Sequence, residues 1–175
     1  MDELILAFPE VEYIPEIAAF KEEMLASGSS MDGAGKLRRT EKIEDWIAQA
    51  RANLDPATAR PGWPVTTQFV CIRVTDRRIV GMIDVRHDLN EWLGKYGGHI
   101  GYSVRPCERG KGYASWMLAA VLPFCKSIGL DRVNVNCLTD NEQSRRVILK
   151  NGGVYENTVY EEENDRYIER YWITV

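Results

Sequence analysis

"RPCERGKGYA", Arg105 to Ala114, sets a proline at the end of one apolar run and two glycines and two cations at the head of another. Upstream, "HIGYSV" reads as a short strand that Pro106 stops. Downstream, Met117, Leu118, Val121, Leu122, Cys125 and Ile128 recur at helical spacing, and Gly129 suits a C-terminal cap. The stretch is therefore a strand-to-helix turn, with a helix expected from about Gly110 to Ile128. The first amides of a helix have no acceptor within it, and the aligned peptides add partial positive charge there. Gly110 and Gly112 let the backbone come close to a ligand, while Arg109 and Lys111 bring charge. Together these features read as a cradle for a pyrophosphate. A Walker loop is excluded, because no serine or threonine follows Lys111. "DGAGKLRRT" fails the same test at Lys36 and reads as a loop.

Outward from this turn the chain changes period several times. "ELILAF" is a short strand closed by Pro9. Ile14, Ile17, Ala18, Met24 and Leu25 mark a helix from about Tyr13 to Ala26. "SGSSMDGAGK" is a loop by composition. Thr40 is expected to cap a second helix whose stripe is Ile43, Trp46, Ile47 and Ala50. "TTQFVCIRV" and "RIVGMIDVRH" are β-branched runs joined by a hairpin, and "DLNEWLGKYGG" reads as an irregular loop. After the central helix come the strand "DRVNVNCL", a helix expected to be capped by Asp140, and a closing hairpin, "VYENTVYEE" with "IERYWITV". The order is β-αα-βββ-α-β-α-ββ. Three consecutive strands suggest antiparallel pairing, and the strand-helix-strand unit suggests one parallel pair. The fold class is α/β: a mixed sheet of about seven strands flanked by about four helices, in a single domain spanning residues 1–175.

Bulk properties narrow the function. A net charge of −4 argues against a non-specific nucleic-acid binder, though not against a local basic site. Cys71, Cys107, Cys125 and Cys137 form no C-x-x-C pair and suit neither zinc nor a disulfide framework, so no metal is expected. The N-terminus has acids where a signal peptide carries lysines, and no run approaches a membrane span, so a cytoplasmic protein without a membrane partner is the expectation.

The motif around the cradle is more specific than its charge. "VRPCERGKGYASWML" resembles the acetyl-CoA signature of the GNAT N-acetyltransferase superfamily, Gln/Arg-x-x-Gly-x-Gly/Ala, here Arg109-x-x-Gly112-x-Ala114. "NEQSRRVILKNGG" resembles the family's next motif: Asn141 and Ser144 match, and Gly153 stands where an aromatic is usual. The element order agrees along nearly the whole chain. The combination is most similar to a bacterial branch known only as predicted acetyltransferases. The resemblance implies acetyl-CoA as co-substrate, lying where two parallel strands splay apart at "HIGYSV" and "RVNVNCL". Backbone groups near Val104 would pair with pantetheine and meet the oxyanion at a strand bulge. Amides of Arg109, Gly110, Lys111, Gly112, Tyr113 and Ala114 would take the pyrophosphate, and Asn141 and Ser144 would hold the pantetheine arm.

The implied reaction is direct attack of a primary amine, on a small molecule or a peptide N-terminus, upon the thioester in a ternary complex, by a monomer or homodimer. An alkyl amine with a pKa near 10.4 is almost wholly protonated at pH 7, so a base is useful. The pattern puts His99 where the family often has a carboxylate, with Asp84 and Asp88 as rivals. Many members carry a tyrosine seven residues after the motif asparagine as general acid. Ile148 stands there, leaving Ser144 or another tyrosine, such as Tyr102 or Tyr155, as substitutes. That gap keeps a second reading open, a non-catalytic acyl-CoA sensor.

Overall fold

The computed structural model describes residues 2–175. Its elements are β1 (Leu4–Ala7), α1 (Ile14–Ala26), α2 (Ile43–Ala52), β2 (Thr66–Arg73), β3 (Arg78–Arg86), β4 (Ile100–Val104), α3 (Tyr113–Ser127), β5 (Arg132–Leu138), α4 (Glu142–Lys150), β6 (Val154–Glu161) and β7 (Arg166–Thr174). The expected order therefore holds. The seven strands form one sheet in the order β1-β2-β3-β4-β5-β7-β6. Every pairing is antiparallel except β4 with β5.

Burial on both faces explains why the central strands read as near-continuous apolar runs. On one face Ile17, Phe20 and Met24 of α1 and Trp46 and Ile47 of α2 pack on Val70, Ile72 and Met82. On the other, Met117, Leu118 and Val121 of α3 and Ile148 of α4 pack on Ile83, Val85, Val133 and Val135.

Local expectations shift in five places. Thr40 does not cap α2: its hydroxyl donates back to the Lys36 carbonyl at 2.9 Å, and Lys42 occupies the cap position. Asn141, not Asp140, caps α4, its Oδ1 accepting the Ser144 N–H at 3.1 Å. Helix α3 starts three residues later than expected, because Gly112 takes a left-handed conformation (φ 85°) that ends the turn. Leu93–Gly97, within the stretch read as irregular, is a wide helical turn. No bulge interrupts β4, whose pairing with β3 is continuous from Ile100 to Val104.

Candidate active site

The parallel pair β4–β5 is joined at a single register position, Ile100 opposite Val135. Beyond it the strands diverge, and the fork between them is a cleft of about 830 Å³. Antiparallel alternation decides what β4 offers to it. His99 O accepts from Arg86 N and Arg105 N donates to Val80 O, so the odd residues bond β3. The backbone groups of Tyr102 and Val104 therefore face the fork, and the Val104 N–H is directed there without a bulge.

At the mouth of the fork stands the start of α3. Among the described residues, the amides from Gly110 to Ser115 have no acceptor in the chain. A side chain added at Gly110 or Gly112 would meet nothing within 4 Å, so the cradle is open. An anion fits such a terminus. The cradle is also held from beneath. Glu108, only 3% exposed, receives Arg73 Nη1 at 2.9 Å and Lys111 Nζ at 2.6 Å, with Arg78 at 3.6 Å. Burial raises the Glu108 carboxyl, and the hydrogen bonds from Arg73 and Lys111 overcome that, leaving its pKa below the ordinary glutamate value. Arg105, also buried, pairs with Glu16 and Glu23 of α1.

The expected cofactor residues divide by this geometry. Val104, Arg109, Gly110, Gly112, Tyr113, Ala114, Asn141 and Ser144 line the cleft. Lys111 does not, its ammonium being turned to Glu108. The Tyr113 ring is buried, its hydroxyl donating to Asp2 and accepting from Arg73 Nη1 at 3.2 Å, so backbone is its contribution to the cradle. The Arg109 guanidinium is directed across the cleft: Nε donates to Val104 O at 3.1 Å and Nη2 to Ser29 Oγ at 2.8 Å.

Ser29 begins the loop that walls the α1 face of the fork. Gly33 lies on β4 so closely that a side chain there would run into the Gly101 carbonyl, and its φ of 73° disfavours one in any case. Gln68 Nε2 donates to Gly33 O at 2.6 Å and Trp46 Nε1 to Ala34 O at 2.9 Å. Asp32 on this loop, with Trp92, Tyr96, Arg86, Asn136 and Arg166, completes the wall opposite α4.

His99 sits at the closed end of the fork and does not line the cleft. Its Nδ1 accepts the Asn134 N–H at 2.9 Å and its ring lies edge-on to Trp172. Burial drives its pKa down to about 4, which makes it a weak base. Asp84 is buried beneath Gly101, accepting its N–H at 3.2 Å and pairing with Arg86 at 3.0 Å. Asp88 is exposed and holds the Leu89 N–H. Tyr155 is exposed on β6. Tyr102 is different. Its hydroxyl lies 2.7 Å from Ser144 Oγ, and both residues line the cleft. Burial raises the Tyr102 pKa well above that of a free phenol, so it stays protonated. Cys137 lines the cleft too, but burial pushes its thiol up to about 11.

Residues 4–154 match the family model of the acetyltransferase (GNAT) domain. The chain belongs to this family. An uncharacterized N-acetyltransferase of Bacillus subtilis, YoaA, is 33% identical over 78 residues, a match spanning 38% of this chain and 44% of that relative. Among solved structures, the microcin C7 self-immunity acetyltransferase MccE, in complex with acetyl-CoA and AMP, superposes with a TM-score of 0.73 at 18% identity, over 100% of this chain and 94% of its own. The ribosomal-protein-S5-alanine acetyltransferase of Vibrio fischeri gives 0.73 at 15% identity, over 99% and 94%. Both share the fold. In GNAT terms the two departures from the motif are one packing unit: Ile148 is buried in the core, and a side chain at Gly153 would run into its Cγ2.

Proposed function

We propose that the chain is an acetyl-CoA-dependent N-acetyltransferase that acetylates a primary amine, on a small molecule or a peptide N-terminus, by direct attack in a ternary complex. The observation that carries the reading is the fork: one rung at Ile100–Val135, β4 backbone beyond it without a strand partner on the β5 side, and, among the described residues, six free amides of the α3 turn at its mouth. A thioester-bearing arm extended along β4 replaces the missing rungs, and the α3 amides take its phosphates. The amine enters from the side of the Ser29–Leu37 loop. Its excess proton passes to water at the open mouth or to Asp32, the carboxylate on that wall. The Val104 N–H faces the fork as the oxyanion donor. With Tyr102 as the donor of the 2.7 Å pair, the Ser144 hydroxyl hydrogen is free for the departing sulfur. A serine is a weaker acid than a thiol, so Ser144 acts as a hydrogen-bond donor to developing thiolate while the sulfur gains the proton the nitrogen loses. His99 is proposed as a positioning residue that fixes the fork's closed end. The reading places the protein with the cytoplasmic acetyl-CoA pool.

The lack of a tyrosine at residue 148 does not favour the sensor reading, because Tyr102 and Ser144 bring a hydroxyl pair to the cleft. Thiol release from acetyl-CoA is the test, with spermidine and tripeptides beginning in Ser or Ala as acceptors. Acetyl-CoA binding without turnover on any of them would leave the sensor in its place.

Arg109 carries a second expectation. Because its guanidinium bridges Val104 and Ser29, Arg109→Ala should raise the KM for the acceptor about tenfold, the loss of a hydrogen bond to a charged donor. Calorimetry and steady-state kinetics on one preparation separate the effects. A loss confined to acetyl-CoA affinity would make Arg109 a phosphate ligand alone.

A further inference from the structure

Asn136 is the first residue of β5 past the last rung of the fork, and it lines the cleft. Val135 and Cys137 on either side of it belong to the core under α3. Strand alternation therefore turns Asn136 to the opposite face, where the Ser29–Leu37 loop packs. Its amide orientation is fixed, since Nδ2 donates to Tyr96 O at 3.0 Å. That bond leaves Oδ1 as an acceptor, and Oδ1 is buried with no donor among the described residues. A buried polar atom without a partner is costly, and such atoms call for a reason in a native fold. The other orphans have closer explanations. Those on Arg78, Arg86, Arg105 and Arg170 are single nitrogens of guanidiniums otherwise engaged, the Ser103 hydroxyl can rotate, and Asn134 Oδ1, Glu161 Oε1 and Trp172 Nε1 belong to residues that do not line the cleft.

We propose that Asn136 Oδ1 accepts an N–H of the incoming amine and orients it for attack. This rests on acetyl transfer at this cleft and adds an acceptor-orienting residue to it. A primary amine has two N–H bonds and one lone pair. Holding one N–H on the β5 side, level with Gly101 across the fork, turns the lone pair toward a thioester carbonyl between the strands. The acceptor wall also bounds the substrate's charge. Asp32 is the wall carboxylate with no ion pair among the described residues, while the charges of Arg86 and Arg166 are met by Asp84 and Glu161. A wall with one unpaired carboxylate suits an acceptor with a single amine better than a polyamine.

The test uses full-length Asn136→Leu and Asn136→Asp, with spermidine and tripeptides beginning in Ser or Ala as probes. Leucine is close in volume and removes the orphan oxygen; aspartate keeps an acceptor at the same place. For the probe the wild type acetylates fastest, Asn136→Leu should lower kcat/KM tenfold to a hundredfold, the range for leaving one hydrogen bond unmade. Its acetyl-CoA affinity should stay at the wild-type value, and Tm should fall by only a few degrees with the bond from Nδ2 to Tyr96 O. Asn136→Asp should retain more activity than Asn136→Leu, with the rising limb of its pH profile moved upward, because a nearby carboxylate favours the ammonium form. Tripeptides should be preferred to spermidine. Wild-type turnover matched by Asn136→Leu overturns the orienting role alone, as does a loss confined to acetyl-CoA affinity. Acetyl-CoA binding with no turnover by wild type overturns the enzymatic reading and the proposal with it.

Discussion

Ser144→Ala is expected to lower kcat about a hundredfold, at the low end for removing one hydrogen-bond donor from developing charge, because a thiolate is already a fair leaving group. Acetyl-CoA affinity should be unchanged, since the Ser144 backbone N–H, not its hydroxyl, completes the Asn141 cap. Tyr102→Phe removes the other half of the 2.7 Å pair and should lower kcat less, because Ser144 keeps its own hydroxyl. The two losses should not add, as the groups act as a unit. Burst and steady-state kinetics on the single and double variants measure this. A Ser144→Ala enzyme with wild-type kcat would show that sulfur leaves unassisted.

The largest effect on stability is expected at Glu108. It is buried between Arg73, Lys111 and Arg78, and Glu108→Ala leaves Arg73, only 13% exposed, short of its buried partner. Breaking such a pair costs about 3 kcal/mol. In a chain of this length that lowers Tm by roughly 6–12 °C. The pH dependence has a defined sign. The folded Glu108 pKa lies below its unfolded value of about 4.3, so its contribution is complete above that pH and disappears as pH falls through the folded pKa. The Tm difference between wild type and Glu108→Ala should therefore narrow on acidification from pH 7 to pH 3. A difference that stays constant would assign the loss to packing instead of charge.

Some of this was readable in the chain and some was not. The seven-strand order and the cradle follow from periods and from Gly110 and Gly112, because both depend on local backbone physics. The motif also led to Asn141 and Ser144. Lys111 read as a cradle cation because its sequence neighbours are cradle residues. Its partner Glu108 is three positions earlier, and only the turn's geometry brings them together. His99 was legible as an imidazole near the site, but its burial against Asn134 and Trp172 depends on β5 and β7, far along the chain. Asn136 carries no motif. Its signal is an unpaired oxygen, which exists only once Tyr96 has taken the other end of the amide. Ile148 looked like a missing catalytic group, and Gly153 like an unrelated lapse. Their contact ties the two positions together, since a side chain at Gly153 would meet both Cγ2 and the carbonyl of Ile148.

The single rung between Ile100 and Val135 reaches beyond chemistry. It leaves the sheet as two panels, β1–β4 and β5–β7, joined edge to edge by little hydrogen bonding of their own. A molecule bonded to both panels acts as a splint, and its binding energy becomes folding energy, about 2.7 kcal/mol at a hundredfold excess over Kd. On the proposed reading the lifetime of the chain follows its metabolic supply. When acetyl-CoA is plentiful the panels are braced. When it is scarce, the seam rests on the bond from His99 N to Asn134 O and on the core that α3 and α4 share with both panels.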